Sequence, residues 1–483
     1  MREYVKGDIV QLKIEDMGIH GEGIGKADGF TVFVKDSVIG DTVTAKIMKA
    51  RKNYGYGRLM EVLEPSPVRT DPRCPVARQC GGCQLQMMKY EEQLRFKAGK
   101  VKSDLERIGG FHDLPMEEII GMEDPFRYRN KAQFPVGKDK NGRIITGFYA
   151  GHTHSIIENR DCVIGQEVNR DILDIITAHM ERYRIEPYDE TTGRGIVRHI
   201  LIRCGYHTGE IMVCLILNGR KIPHEDELTN ELKKIPGMTS ISVNINTKRT
   251  NVILGEEIRT IFGPPYIVDR IGDVSYQISP LSFYQVNPVQ TEKLYQKVLE
   301  YADLNGDEVV WDLYCGTGTI SLFLAGKARF VRGVEIIPQA IENARENASI
   351  NHFSNTEFFV GRSEEVLPAQ YEKTKEHADV IVVDPPRKGC DEVLPQTMIR
   401  MQPEKIVYVS CDSATLARDL KYLCENGYTL RKVCPVDQFC QTVHVETVCL
   451  LSNRKPDARV KIDVDLEDYY RIKDEQKKNK ASE

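Results

Sequence analysis

The chain of 483 residues lacks several features, and each absence narrows what the protein can be. No apolar run approaches the ~18 residues that a helix needs to cross a bilayer, so we expect no membrane association. The N-terminus, MREYVKGDIV, has no apolar core of the kind that a secretion signal requires. Internal repeats and low-complexity tracts are also missing, which argues against repeat architectures. Together these absences predict a cytoplasmic protein.

The 13 cysteines are an odd number, which argues against a framework of paired disulfides. In the cytoplasm cysteines stay reduced or bind metal. Four of them form a candidate metal site: Cys74, Cys80 and Cys83 lie in CPVARQCGGC, and Cys162 lies in ENRDCVIG. Four thiolates can hold zinc or an iron–sulfur cluster. Zinc is disfavoured because Cys162 has no close partner, and four unrelated packing cysteines are the competing interpretation.

Acidic residues are absent between Asp41 and Glu61, although the net charge of the whole chain is −5. Within this stretch the segment KARKNYGYGR is rich in basic residues and contains two tyrosines. Basic groups neutralise phosphates and tyrosine rings stack on bases, so Arg51, Lys52 and Tyr54 are candidate RNA contacts. A solvated hairpin with strand tyrosines explains the same pattern equally well.

The length indicates two to four domains rather than one core. Residues 1–63 read as about five short strands separated by glycine-rich turns, which predicts an OB-like β-barrel. Residues 64–280 read as an α+β domain that contains the clustered cysteines. In residues 281–453 helical patterns alternate with short apolar runs, which predicts a doubly wound, Rossmann-like α/β sheet. Residues 454–483 form a charged tail that we expect to be frayed.

The segment EVVWDLYCGTGTISLFLAG has the strand–glycine loop–helix order of a cofactor site. Gly316 and Gly318 allow the backbone to turn tightly beside a ligand, and Glu335 ends the next predicted strand, where its carboxylate can bind ribose hydroxyls. A dinucleotide fingerprint would have a third glycine where this chain has Ser321. The pattern therefore favours S-adenosylmethionine (SAM) over NAD.

Two further strand ends lie on the predicted cofactor side of the sheet. VIVVDPPRKG ends with Asp384-Pro-Pro-Arg, where enzymes that methylate exocyclic amines usually have Asn-Pro-Pro-aromatic. KIVYVSC ends with Cys411, directly before a predicted helix whose N-terminus should lower the pKa of the thiol. An inert strand-end cysteine is the competing interpretation. Cys315 and Cys390 lie nearby without an activating feature.

A thiol beside SAM suits methylation at C5 of a pyrimidine. Thiolate addition to C6 makes C5 nucleophilic, and after methyl transfer a base must remove the C5 proton so that the thiol can leave. Glu446 lies among apolar residues in DQFCQTVHVETVCLL and is a candidate base, with His444 as a second candidate.

Six motifs in order carry a resemblance: SFYQVNPVQ, DLYCGTGTISL, GVEI, DPPRKG, SCDSATLARDL and HVET. Together they resemble the RNA uracil-C5 methyltransferase family, and in particular its 23S ribosomal RNA branch, over nearly the whole chain. The resemblance implies that Cys411 is the nucleophile and Glu446 the base, and that residues 1–63 are a TRAM domain. It further implies a [4Fe–4S] cluster on the four cysteines. The SAM contacts that it implies are Gln285, Tyr314, Glu335 and Asp384.

The run DPFRYRNKAQFPV concentrates Arg127, Arg129 and Lys131 in a predicted strand. The resemblance places this run near the substrate RNA, and an exposed basic strand face is the competing interpretation. We expect a monomeric enzyme that makes 5-methyluridine in 23S rRNA. The alternatives are a tRNA uridine methyltransferase, an iron–sulfur oxidoreductase that uses a dinucleotide, and a noncatalytic RNA-binding module.

Overall fold

The structure is a computed structural model that describes residues 4–151 and 153–454. The predicted frayed tail therefore lies, apart from its first residue, outside the described residues. The strands are β1 Ile9–Met17, β2 Gly23–Ala27, β3 Phe30–Lys35, β4 Thr42–Ala50, β5 Tyr54–Glu64, β6 Lys131–Lys138, β7 Ile144–Tyr149, β8 Ile156–Glu158, β9 Val197–Cys204, β10 Ile211–Leu217, β11 Met238–Ile245, β12 Glu257–Phe262, β13 Ile267–Ile271, β14 Val274–Ile278, β15 Val309–Leu313, β16 Phe330–Glu335, β17 Thr356–Val360, β18 Val380–Val383, β19 Lys405–Ser410, β20 Tyr428–Val436 and β21 Glu446–Asn453. The helices are α1 Tyr90–Arg107, α2 Val168–Arg182, α3 Glu225–Leu232, α4 Pro288–Ala302, α5 Thr319–Ala325, α6 Pro338–Ile350, α7 Ser363–Thr374, α8 Val393–Met401 and α9 Ser413–Glu425.

The N-terminal strands β1–β5 close into a barrel in the order β1-β2-β3-β5-β4, with β1 also paired to β4. Side chains alternate between the barrel core and the surface, as in β3, where Val32 and Val34 are buried and Phe33 faces outward. This alternation is the period of two that the sequence showed. The predicted small barrel is confirmed.

The central sheet has seven strands in the order β12-β11-β10-β9-β6-β7-β8. β9 and β10 form an antiparallel hairpin that turns near GYHTGE. β6 begins only at Lys131, so Arg127 and Arg129 precede the strand in which the sequence had placed them. Both residues pair instead with the cysteine-bearing loop at Val163 and Ile164.

The C-terminal sheet also has seven strands, in the order β17-β16-β15-β18-β19-β21-β20. Five of them, β15–β19, are parallel, and they coincide with the short apolar runs of the sequence. All but the edge strand β17 are largely buried. β21 inserts between β19 and β20 and is antiparallel to both. Helices cover both faces of the sheet, as the doubly wound pattern predicted.

Helix α1 packs against the C-terminal sheet rather than within the central domain. Its buried residues Val101 and Leu105 join the core formed by α8, α9 and the inner strands. In the described part of the chain, every helix is too short or too polar to cross a bilayer.

Candidate active site

The candidate site lies where the parallel strands of the C-terminal sheet end. Open α/β sheets bind ligands at this edge. β19 ends at Ser410, which is opposite Thr447 in the antiparallel register with β21. The next residue on each strand toward the edge is Cys411 on one side and Glu446 on the other. Opposed residues of an antiparallel pair have Cα atoms about 4.5–5.5 Å apart, so the register makes the thiol and the carboxyl close neighbours.

Cys411 is half-buried between β19 and α9. The Asp412 side chain caps the helix by accepting hydrogen bonds from the amides of Ala414 and Thr415. Burial raises the pKa of the Cys411 thiol to about 11, and the charges of Glu446 and Asp384 add to this rise. The predicted lowering of this pKa is therefore wrong. A helix N-terminus is a local feature, whereas burial beside two carboxylates depends on the tertiary fold.

The two carboxyl groups beside the thiol are themselves strongly perturbed. Burial raises the pKa of Glu446 well above its usual range, and the Asp384 charge raises it further. Burial also raises the pKa of Asp384 to about 7. Arg387, from the Asp-Pro-Pro-Arg turn, is the cation that opposes these effects, because its charge lowers the pKa of both Cys411 and Glu446. The sequence had given Arg387 no role, although the motif contained it.

The other candidates near this edge have structural environments. Cys390 is buried, with its amide bonded to Asp419 and its sulfur 3.5 Å from the Tyr408 hydroxyl. Cys315 is also buried, and burial raises its pKa well above the usual range. Burial and the nearby charge of Arg387 lower the pKa of His444 to about 4, so this imidazole is neutral near pH 7.

The glycine loop has the geometry of a ligand-binding turn. Gly316 and Gly318 have φ values of 55° and 78°, and Tyr314 has the same left-handed sign at 67°. A non-glycine residue in this region is strained, and such strain clusters at binding sites. The Glu335 carboxylate accepts hydrogen bonds from the amides of Gly316 at 3.3 Å and Ile337 at 3.0 Å. These bonds hold the acid beside the loop, where a ribose would lie.

Ser321 replaces the third glycine of a dinucleotide fingerprint for a visible reason. Its hydroxyl donates a hydrogen bond of 2.5 Å to Asp312 Oδ2 inside the sheet. Burial raises the pKa of Asp312 to about 7. Ser321 is therefore the hydrogen-bond partner of a buried acid. A glycine at this position would remove the hydroxyl that donates to Asp312.

Exposed apolar side chains flank the candidate SAM residues, and the sequence reasoning missed them. Phe283 is 70 % exposed and lies two residues before Gln285, which is itself buried. Ile336 and Ile337 are more than half exposed directly after Glu335. Exposed large apolar groups beside a polar site offer surfaces for flat rings. The exposure of these side chains depends on the fold, so the sequence motifs did not reveal them.

The four candidate metal-binding cysteines line one cavity of about 340 Å³. All four are free thiols. Burial raises the pKa of Cys83 to about 12, and the charges of Cys162, Cys80 and Cys74 contribute to the rise. Nevertheless, no group of three or more His, Cys, Asp or Glu side chains among the described residues has an arrangement that could hold a metal ion. The four thiols therefore share one cavity, but their positions in this structure do not form a metal-binding group.

The candidate RNA contacts fall in two places. Arg51 and Lys52 are exposed in the β4–β5 turn, and Tyr54 begins β5. Arg127 donates hydrogen bonds to Asp161 and to the carbonyls of Cys162 and Gly165, so it ties down the Cys162 loop. The remaining two, Arg129 and Lys131, line the cysteine cavity.

Comparisons with known proteins agree on the type of protein. The family model described as tRNA (uracil-5-)-methyltransferase matches residues 90–454, and the TRAM domain model matches residues 4–60. An uncharacterized RNA methyltransferase of Clostridium tetani is 50% identical over 448 residues, which are 92% of this chain and 97% of that protein. A second, from Halalkalibacterium halodurans, is 48% identical with the same coverage.

Among solved structures, the chain is similar to the Pyrococcus abyssi tRNA (uracil-54, C5)-methyltransferase in complex with S-adenosyl-L-homocysteine. The TM-score is 0.75 and the identity 29%, over 92% of this chain and 99% of the other.

Proposed function

Since the chain belongs to the tRNA (uracil-5-)-methyltransferase family, we propose that it methylates C5 of uridine in 23S ribosomal RNA, with Cys411 as nucleophile and Glu446 as base. Membership of this family and the similarity to the solved structure support SAM dependence and action on RNA. The division into a barrel of residues 1–63, a central domain of 64–280, a methyltransferase domain of 281–453 and a tail is part of the same proposal.

The observation that carries the mechanism is the register of β19 and β21, in which Ser410 is opposite Thr447. Deprotonated Cys411 adds to C6 of the uracil, and the electrons of the C5–C6 double bond move onto C5 and O4. When bound, SAM supplies the methyl group that C5 takes. Glu446 then removes the C5 proton, the double bond re-forms and the C6–S bond breaks, which returns Cys411 as thiolate.

The residues around the glycine loop are suited to SAM. We assign Gln285, Tyr314, Glu335, Asp384, Gly316 and Gly318 to the SAM site. Glu335 is already oriented by two amide hydrogen bonds, so its remaining acceptor capacity can bind ribose hydroxyls. The target base has to leave its stack to reach the thiol, and exposed Phe283 offers a ring face for it or for a neighbouring base.

The choice of 23S rRNA rests on the motif resemblance, while the structural neighbour acts on tRNA. Mapping 5-methyluridine in total RNA from cells that lack the chain distinguishes the 23S rRNA substrate from a tRNA substrate. We expect a 23S rRNA site to lose its methyl group and to regain it with the wild-type chain, but not with Cys411→Ala. Loss of the modification only in tRNA would establish the tRNA alternative, and no loss in any RNA would contradict the proposed function.

We also propose that Cys74, Cys80, Cys83 and Cys162 hold a [4Fe–4S] cluster. Support comes from their shared cavity and from the two cations, Arg129 and Lys131, that line it, since a cluster with four thiolates carries net negative charge. Anaerobically purified chain should contain about four irons for each molecule, and Cys83→Ser should lose most of them. A protein without iron, or with zinc instead, would contradict this assignment.

A further inference from the structure

The loop that carries Arg387 is bonded to helix α9 by side chains of that helix. Residues 384–390, which we call the Arg387 loop, directly follow β18. Arg418 and Asp419 follow Thr415 by three and four residues in α9, so all three project from one face of the helix. We call these three side chains the loop clamp, because each of them forms a hydrogen bond with the backbone of the Arg387 loop.

Two side chains of the loop clamp donate to carbonyl groups of the Arg387 loop. The Thr415 hydroxyl donates to the Arg387 carbonyl at 3.1 Å. Arg418 Nη2 donates to the carbonyls of Lys388 and Cys390, both at 3.1 Å. The backbone on both sides of the Arg387 side chain is therefore held by the helix that begins directly after Cys411.

The third side chain, Asp419, is the centre of the loop clamp. It is only 5% exposed. Its Oδ2 accepts hydrogen bonds from the Cys390 amide at 2.9 Å and from the Tyr408 hydroxyl at 2.6 Å, and its Oδ1 accepts one from Arg418 Nε at 2.8 Å. Tyr408 belongs to β19, the strand that leads to Cys411. A buried carboxyl group with three donors is fixed in orientation, so Asp419 joins α9, β19 and the Arg387 loop.

Gly389 shows how closely the Arg387 loop approaches the loop clamp. Its φ is +77°, and a Cβ at this position would lie 2.5 Å from Arg418 Nη2 and 2.7 Å from Asp419 Oδ2. Glycine alone allows both this conformation and this approach. The loop backbone therefore lies directly against the clamp.

The Arg387 side chain itself contributes nothing to holding the loop. It is exposed, and within residues 4–151 and 153–454 its guanidinium forms neither a hydrogen bond nor an ion pair. The charged groups that face the Cys411 thiol are Glu446 from β21 and Asp384 and Arg387 from the loop. Arg387 is the cation of this group, and its distance from the thiol depends on the backbone that the clamp holds.

We propose that Asp419 is a positioning residue that holds the Arg387 guanidinium beside Cys411 and Glu446, acting through the backbone of the Arg387 loop. The contacts stand on the structure alone, whereas their importance for methyl transfer rests on the proposed function. Loss of the Asp419 carboxylate should release the loop, move the cation away and leave less of Cys411 as thiolate at a given pH.

The test measures the thiol directly, as the rate at which iodoacetamide alkylates Cys411 in the full-length chain, followed by mass spectrometry of the peptide that contains it. This measurement needs neither RNA nor SAM. Asp419→Asn keeps the shape of the side chain but has one acceptor oxygen in place of two. It should lower the alkylation rate at pH 8 by about three- to tenfold and move the rise of the rate to higher pH, because a displaced cation stabilises the thiolate less.

Tyr408→Phe is the matched control for a loss of stability. It removes one donor to Asp419 and leaves the bonds between the loop clamp and the Arg387 loop in place. Its thermal midpoint should fall, while alkylation of Cys411 should depend on pH as it does in the wild type. A role of Asp419 in stability alone predicts the same unchanged profile for Asp419→Asn.

The double variant Arg387→Gln/Asp419→Asn tests the route through Arg387. It should alkylate as slowly as Arg387→Gln alone, because the cation that Asp419 positions is already absent. Arg418→Gln removes a side chain that is 53% exposed, so it is expected to fold. It should slow alkylation in the same direction, and it decides the question if Asp419→Asn does not fold.

A wild-type alkylation profile in the folded clamp variants would overturn the inference. Additive losses in the double variant would also overturn it, since Asp419 would then act on the thiol without Arg387. Failure of the proposed function has another signature: alkylation of Cys411 would respond to the clamp as expected, and yet the wild-type chain would leave every RNA without 5-methyluridine.

Discussion

At the scale of single residues, Glu446 combines burial with a neighbouring thiol. Its elevated pKa makes its ionised form a strong base, which the final elimination requires. Glu446→Gln keeps the shape and removes the base, so methyl transfer should proceed while release of the thiol stops. We expect a covalent protein–RNA adduct, visible as a band of reduced mobility in denaturing gels. Cys411→Ala is the control and should form no adduct. Normal turnover by Glu446→Gln would mean that another residue is the base.

Arg387 gives a second prediction at this scale, on pH. The pKa of Cys411 is raised to about 11, and the pKa of Glu446 is also raised. The thiolate of Cys411 and the carboxylate of Glu446 therefore both become more abundant as pH rises. The single-turnover rate at saturating RNA should therefore increase between about pH 6.5 and 8.5. Arg387→Gln removes the cation that lowers both pKa values, which should depress the rate at pH 7 and move the rising limb to higher pH.

The matched variant for this prediction is Arg387→Lys, which keeps the charge and should keep the profile near that of the wild type. If the pH–rate profile of Arg387→Gln were unshifted and only RNA binding were weaker, Arg387 would contact the RNA and would not control the pKa of the thiol.

At the scale of elements, periodicity in the sequence was sufficient for the barrel strands and the five parallel strands, because these patterns are local. The placement of β21 between β19 and β20 was not predictable, since strand order depends on contacts distant in sequence. Cys411 and Glu446 could thus be assigned to one edge, but not to opposed positions. For the same reason the local helix start gave the wrong direction for the Cys411 pKa.

Helix α1 is joined to the active site by an ion pair that the sequence did not reveal. We call residues 437–445 the bridging segment, which leads into Glu446. Lys97 of α1 donates a hydrogen bond of 2.5 Å to Asp437 of this segment, and both side chains are fully buried. The Tyr90 hydroxyl donates to the other oxygen of Asp437, and Lys97 also reaches the carbonyl of Phe439.

Lys97→Met should destabilise the packing of α1 on the bridging segment by about 3–5 kcal/mol, because it leaves a buried carboxylate without its cation. The thermal midpoint should fall and amide exchange in residues 437–445 should increase. Lys102→Met, on the exposed side of the same helix, should change both little. Lys97→Met/Asp437→Asn should recover part of the loss. A midpoint equal to that of Lys102→Met would contradict the role of the pair.

At the scale of the whole molecule, the bridging segment bonds to several separate parts of the described chain. Leu85 of the cysteine-rich segment donates its amide to the Gln441 carbonyl, and the Tyr128 hydroxyl donates to the Cys440 carbonyl. Asn287, at the start of α4, bonds the Gln438 carbonyl. The cysteine-rich segment, the residues before β6 and the start of α4 therefore meet on the short stretch of backbone that leads into Glu446, and Gly21 of the barrel lies beside Val443 of the same stretch.

Gly21, in the β1–β2 turn of the barrel, tests this connection. Its φ is +82°, and a Cβ there would lie 2.9 Å from Val443 and 3.2 Å from Leu85. Gly21→Ala should add backbone strain of roughly 1–2 kcal/mol and push the barrel away from the bridging segment. Gly7→Ala is the matched control, because Gly7 has a φ of +107° and no atom within 4 Å of the added carbon. Both variants carry the strain, but only Gly21→Ala should increase amide exchange in residues 437–445 and slow methyl transfer at saturating RNA. Equal exchange in the two variants would mean that the barrel and the catalytic base are mechanically independent.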